Sequence, residues 1–326
     1  MMQFNSIDFM LFFPIVLLVY FVIPKKLRMY WLLLTSYYFY MCWNAKYAFL
    51  MGLSTVITWF SGILFSRIPD DESGKKKRII MVICICINLG ILAIYKYGNF
   101  GIEIVNAILS KMGCLVIDKR FNFLLPVGIS FYTFQALGYM IDVYRGDVEV
   151  EKNIFRYALF VSFFPQLIQG PISRFDELSK SLFIEKKFKK EVLCSGLQRI
   201  LWGYFKKLVI ADRILVAVNT IIRNPEQYQG GYVLLGAIFY AIELYADFTG
   251  GIDITIGIGE LFGIQIAENF KRPFFSKSVK EYWNRWHISM GTWFRDYVYI
   301  PLGGSRCKNI KRYRNILLLP FRDVYG

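Results

Sequence analysis

Histidine is almost missing from this sequence: one, His287, occurs in 326 residues. A histidine-rich metal or haem site is therefore excluded. The six cysteines do not make up for it. Cys42, Cys84, Cys86, Cys114, Cys194 and Cys307 form no CxxC pair and no metal-ligand spacing. Cys84 and Cys86 lie inside the apolar run IIMVICICINLGILAIY, where a thiol packs as a small hydrophobe. No metal and no resident cofactor are expected.

Charge is scarce as well. Asp, Glu, Lys and Arg make up 19% of the chain, against 56% apolar residues. A water-soluble chain carries more charge and lacks repeated apolar runs of span length. Acids are the rarer sign, 24 against 39 bases, giving a net charge of +15. No basic face interleaves with exposed aromatics, so nucleic acid is excluded as a partner. The bases sit instead in short loops: Lys25, Lys26 and Arg28, then Lys75, Lys76, Lys77 and Arg78, then Lys186, Lys187, Lys189 and Lys190. That is the positive-inside pattern of a membrane protein, and the 18% aromatic content suits its two interfaces. A cleavable leader is not evident, since span follows span with no small-residue cleavage site. Internal repeats, low-complexity tracts and a second domain are also missing. The expectation is an all-α, polytopic transmembrane protein, a single membrane-embedded domain over residues 1–326, multi-pass in the plasma membrane with the lipid bilayer as its first partner.

What is present is a series of apolar runs. Ile7 to Pro24, Met29 to Trp43 and Tyr47 to Ser66 are each about 15–20 residues, near the length that crosses ~30 Å of hydrocarbon. Ile79 to Tyr97 is the fourth. Residues 98–121 carry Glu103, Lys111, Asp118 and Lys119 and read as an interfacial helix plus loop. Asn122 to Tyr144 is a fifth candidate, with Pro126 and Gly128 at its entry. FFPQLIQGPISR (163–174) is apolar but broken by proline, glycine and glutamine. Such a segment is tolerated at membrane depth only where protein satisfies its backbone, so it reads as re-entrant. Val192 to Ile222 is a helix interrupted by charges, and Gly231 to Phe248 and Gly251 to Ile266 are two further runs. Polar helix continues to Tyr299, and a last run starts near Tyr313. The loop 67–78 has five bases against three acids and is expected in the cytoplasm, with the N-terminus outside. A cysteine at position 74 in a cysteine-free background is then labelled by an impermeant reagent only after the membrane is opened; labelling of intact cells overturns the topology.

The polar residues cluster late. His287 lies within YWNRWHISMGTWFRDYVYIPLGG. A histidine titrates near neutrality and can serve a hydroxyl that is a weak nucleophile at its own pKa. On a continuous helix Trp283, His287 and Met290 share one face, and Asn284, Gly291 and Arg295 another. Glu243 and Asp247 are one turn apart on an apolar helix, either lining a tunnel or paired with Arg285, Arg295 or Arg199. Arg295 and Asp296 point apart and each need a partner. Gly303–Gly304 is a turn, not a phosphate loop, and GIGE (257–260) is no protease motif.

Four segments together carry a resemblance: LLPVGISFYTFQALGYMIDVYRG (124–146), FFPQLIQGPISR, YADFTGGIDITIGIGELFGI (245–264) and ENFKRPFFSKSVKEYWNRWHISMGTWFRDYVYIPLGG (268–304). The sequence resembles the membrane-bound O-acyltransferase family, in particular its bacterial branch of alginate O-acetylation and teichoic acid D-alanylation. The resemblance implies an acyl group taken from a cytoplasmic thioester donor, an acyl-CoA or acyl carrier protein. It implies delivery to hydroxyls of an extracytoplasmic polysaccharide or teichoic acid, with accessory envelope acyltransferase subunits as further partners. It places His287 in the reaction chamber as a catalytic histidine, with Asp247, Asn284, Trp286, Arg295 and Asp296 as substrate-binding candidates. Asp247 matches the family motif, whereas related proteins carry glutamine near Glu243. The family's principal base is a second histidine, in a Trp-His-Gly motif on the next span. The sequence ends at Gly326 without that motif, so the chain is expected to stop just before its main base and to be inert alone. The alternatives are an inactive remnant or a frameshifted product, and a transporter or flippase of envelope precursors, which the broken segment and Asp247 would also suit.

Overall fold

Apolar runs in a bilayer must satisfy their own backbone groups, and helices do so within one segment. The computed structural model describes residues 2–69, 74–112, 126–184 and 189–304. Among them every regular element is helical. Local signals start several helices. Ser6 caps α1 (Ile7–Val22) by accepting the Phe9 N–H at 3.2 Å. Asn44 caps α3 (Ala45–Arg67) through the Lys46 N–H at 3.0 Å. Between them lies α2 (Lys25–Met41), whose buried face of Leu32, Ser36, Phe39 and Tyr40 meets the broken segment. Among the described residues three helices are long and apolar enough to cross a membrane: α3, α4 (Lys75–Lys111) and Gly231–Leu261.

Two expectations about continuity are corrected. Residues 98–111 do not leave the membrane span as a separate interfacial helix; α4 runs unbroken for 37 residues. Asn99, Glu103 and Asn106 fall on one face at helical spacing, so the polar residues add an amphipathic extension instead of a break. Propagation adds a hydrogen bond for each residue fixed, which favours continuation once a helix has formed. Residues 113–125, the end of the expected loop and the first residues of the fifth expected span, lie outside the described residues. Within α4, Cys84 is buried against Asn88, whereas Cys86 is exposed on the outward face.

The fifth expected span becomes α5 (Ile129–Arg145), 17 residues long and buried over most of its length. It packs against α3, α4 and α6 (Ile154–Ser162), and its Tyr139 meets Phe175 of α8 (Phe175–Leu182) at 4.9 Å; α7 (Phe164–Leu167) lies between α6 and α8 in the chain. The break between α6 and α7 falls where the sequence placed a re-entrant segment. Phe163, Phe164 and Gln166 are buried there. Its freed backbone groups are bonded by side chains from three directions. The Phe164 N–H donates to Ser36 Oγ at 3.1 Å, Thr255 Oγ1 donates to the Pro165 carbonyl at 2.8 Å, and Gln135 Nε2 donates to the Phe160 carbonyl at 2.7 Å.

The interrupted run becomes α9 (Lys190–Tyr204), a π-helical turn (Phe205–Ala211) and α10 (Asp212–Arg223). The two runs after it fuse into one helix, α11 (Gly231–Leu261). Gly250 and Gly251 do not end it, because packing outweighs helix propensity here. A Cβ at Gly203 would lie 2.7 Å from the Gly250 carbonyl, and one at Gly257 would lie 2.8 Å from the Gly196 carbonyl. Backbone therefore meets backbone at two points along antiparallel α9 and α11. Gly203→Val is expected to cost about 1–3 kcal/mol by overpacking. Thermal melting in detergent checks this: an unchanged midpoint would show that the contact tolerates side chains.

Candidate active site

His287 does not sit on a continuous helix. The chain runs through α12 (Val279–Arg285), turns at Trp286 and His287, and resumes as α13 (Ile288–Phe294), followed by a π turn (Arg295–Tyr299). His287 has φ 45° and ψ 52°, the left-handed region. That costs an L-residue about 1–2 kcal/mol and marks functional sites. The face shared with Trp283 and Met290 that continuous helix would give does not exist, and neither does the one joining Asn284 to Arg295.

Asn269 holds the break. It is fully buried. Its carbonyl accepts the Ile288 N–H at 3.0 Å and its Oδ1 accepts the Ser289 N–H at 2.9 Å. Its Nδ2 stands 3.4 Å from His287 Nδ1. Ser289 Oγ in turn accepts the Ile172 N–H at 3.0 Å, tying the histidine turn to the segment after the re-entrant helices. The ring packs edge-on to Phe248, centroids 5.1 Å apart, and lies 6.2 Å from Phe270. Trp286 packs on Phe270 at 4.9 Å and stacks on Tyr282 at 5.6 Å, so it builds the aromatic wall beside the histidine.

The imidazole is only 7% exposed. Burial pushes its pKa down from 6.5 to about 4, because the charged form loses its water. The unfolded chain then binds a proton below pH ~6.5 that the folded chain refuses until pH ~4. Stability falls as pH drops through that window, by roughly 3 kcal/mol in total. In His287→Gln this component is gone, since the chain holds no other histidine. Unfolding followed between neutral pH and pH ~4 checks it: parallel curves for the two proteins would sink the assignment.

Two cavities flank the histidine turn. The larger, about 800 Å³, is lined by Arg199, Lys206, Lys271, Arg272 and Arg285 with Tyr245 and Phe270. The smaller, about 310 Å³, is lined by Ser289, Thr292, Arg174, Arg295, Asp296 and Tyr297. Arg285 lines the first and Ile288 and Ser289 the second, so the turn reaches both cavities, while the buried His287 side chain lines neither.

In the smaller cavity Arg295 and Asp296 do not point apart. Within the π turn Arg295 Nε donates to Asp296 Oδ1 at 2.6 Å. The Arg174 guanidinium pairs with the same carboxylate, and Arg145 donates to the Asp296 carbonyl at 3.0 Å. Tyr297 donates to Asp142 Oδ2 at 2.7 Å, and Arg145 and Arg174 lie over its ring. Asp142 and Arg174 lay within matched segments, MIDVYRG and PISR, yet gave no local sign of a role. Asn284 is exposed and lines neither cavity.

Asp247 faces protein. Lys207 pairs with it and stands 3.1 Å from Asp212. None of the three arginines expected as partners is used: Arg199 bridges Asp253, Glu260 and Glu268, Arg285 pairs with Glu281 at 2.5 Å, and Arg295 holds Asp296. Lys206 pairs with Asp253. Two adjacent lysines both reach carboxylates on α11 because they sit in the wide π turn, a feature found mostly at functional sites.

The model of the membrane-bound O-acyltransferase family matches residues 149–319. The chain belongs to the membrane-bound O-acyltransferase family. The match spans the histidine turn, the whole lining of the larger cavity and the α9–α11 pair. A probable alginate O-acetylase of Pseudomonas syringae pv. tomato is 38% identical over 320 residues, 97% of this chain and 60% of that protein. A peptidoglycan O-acetyltransferase of Helicobacter pylori is 30% identical over 340 residues, covering 94% and 63%. A teichoic acid D-alanyltransferase of Bacillus subtilis is 30% identical over 232 residues, covering 65% and 57%. The chain thus spans about three-fifths of the length of the alginate O-acetylases it matches. This O-acyltransferase kinship replaces the transporter alternative.

Proposed function

We propose that this protein moves an acyl group from a thioester donor, through the bilayer, to hydroxyls of an extracytoplasmic envelope polymer. The observation that carries the reading is a buried histidine at a left-handed turn whose neighbours line two polar cavities, in an O-acyltransferase chain. The hydroxyl oxygen attacks the thioester carbonyl. A C–O bond forms, the C–S bond breaks, and the hydroxyl proton ends on the departing thiol. Lys271 and Arg272 of the larger cavity suit the phosphates of an acyl-CoA or of an acyl carrier protein's prosthetic arm. An acetyl group is favoured over D-alanyl. The similarity to probable alginate O-acetylases covers 97% of the chain, that to a D-alanyltransferase 65%. The acceptor is accordingly a polysaccharide, with teichoic acid second, and the site of action is the plasma membrane. Accessory envelope subunits would present the acceptor.

The test is ester formation in proteoliposomes. Acetyl and D-alanyl thioesters are offered inside and polysaccharide or teichoic acid outside. This chain is compared with the same chain continued by the remaining length of an alginate O-acetylase. Ester formed by either supports the reading. No transfer from any donor by either protein, with both folded, overturns it.

A further inference from the structure

We propose that Asn269 fixes the tautomer of His287, holding the neutral ring with its proton on Nε2 so that it meets the substrate as a hydrogen-bond donor. The catalytic meaning rests on the acyl-transfer reading above; the tautomer itself does not.

Donor capacity around the ring decides which nitrogen carries the proton. The Ser289 backbone N–H has only a proton to offer, and it points at the Asn269 side chain at 2.9 Å. That end of the amide is therefore the oxygen. The other end, which faces His287 Nδ1 at 3.4 Å, is the NH2 group, and it has no lone pair to give. Nδ1 must accept. A neutral imidazole has one proton, which then sits on Nε2. The low exposure of the ring keeps it neutral. One group competes: the carbonyl of His287 itself favours a proton on the ring. That carbonyl accepts the Gly291 N–H at 3.1 Å and keeps a second lone pair, so the Asn269 amide, which offers Nδ1 only a donor, sets the balance. A proton on Nδ1 would also set two donors against each other beside a fully buried asparagine.

The positioning is stiff. Asn269 binds the residue after the histidine through its backbone and the next one through its side chain, so it sets both the left-handed turn and the ring polarity. A ring presented as Nε2–H stabilises the carbonyl oxygen of the thioester as negative charge grows on it. It cannot at the same time take the hydroxyl proton at Nε2. The base that removes this proton is another group, and His287 is a donor on the opposite side of the reaction.

The single histidine makes this visible in the whole protein. The full chain, labelled with [15N]histidine and held in lipid nanodiscs, gives ring signals from His287 alone. At neutral pH the proton-bearing nitrogen is expected to be the one correlated with both ring C–H groups, which is Nε2. In Asn269→Asp a carboxylate replaces the amide donor, so the proton moves to Nδ1 and the ring stays charged to higher pH. In Asn269→Leu the Nε2 preference is lost. A wild-type proton on Nδ1 overturns the proposal, and so does one unchanged tautomer in all three proteins. Should either variant fail to fold, the wild-type spectrum alone decides. No substrate enters the measurement, so a protein with Nε2–H that transfers no acyl group would refute the enzymatic reading and leave the tautomer standing.

Discussion

His287→Ala lowers acyl transfer by about 10²–10³-fold, the usual loss when one donor to a developing oxyanion is removed. The loss falls in kcat, with KM little changed, because the interaction strengthens only as charge grows on the carbonyl oxygen. His287→Gln loses less, since its amide offers an N–H near the position of Nε2. His287→Gly transfers no better than the alanine variant but is more stable than it by about 1 kcal/mol, because the residue sits at φ 45°. Steady-state kinetics in proteoliposomes and melting in detergent check the pair of claims. An alanine variant within about threefold of wild type would remove His287 from the reaction.

Asp296→Ala costs about 3 kcal/mol of stability, the lower end of the range for breaking a buried ion pair. The aspartate side chain is 15% exposed, whereas Arg174 and Arg295 are 34% and 38% exposed, and partial access to water softens the loss. Removing the carboxylate takes away the acceptor that Arg174 and Arg295 share. Asp296→Asn is milder because an amide oxygen still accepts from one arginine. The measurement is the melting midpoint alongside KM for donor and acceptor. A variant that melts like wild type but binds substrate poorly would return Asp296 to the substrate-binding role that the sequence suggested.

The helices of this fold were legible wherever composition alone decides the outcome. Long apolar runs, basic loops and a proline-broken buried segment each have one cheap solution in a bilayer, and α1, α3 and the break at Phe163 follow it. Continuity was not legible. Gly250–Gly251 looks like a gap in sequence and is a contact in space, because a glycine that ends one helix elsewhere lets another helix approach here. The polar tail of α4 looked like a separate element because its charges were counted and their spacing was not. The site divides in the same way. The histidine and the Arg295–Asp296 pair stood out as rare residues in an apolar chain. Asn269, Arg174 and Lys207 did not, since their importance lies in partners dozens of residues away: Asn269 to Ser289, Arg174 to Asp296, Lys207 to Asp247. A lone left-handed histidine also has no sequence signature, since the turn is imposed by Asn269 and the packing around it.

The paired glycines of α9 and α11 have a consequence for depth. Both helices place them seven residues apart, Gly196 and Gly203 against Gly257 and Gly250. Sliding by two turns would keep one such contact and push side chains into the other, so the helices have one register in which both fit. Lys207 lies midway between Lys190 and Arg223, and Asp247 midway along α11. A lysine free to choose would stretch its ammonium toward the nearest headgroups. Here the backbone contacts fix both the height and the rotation of its helix against α11, and the charge is held opposite its aspartate. Two small residues on each helix thereby set the register at which these charges meet.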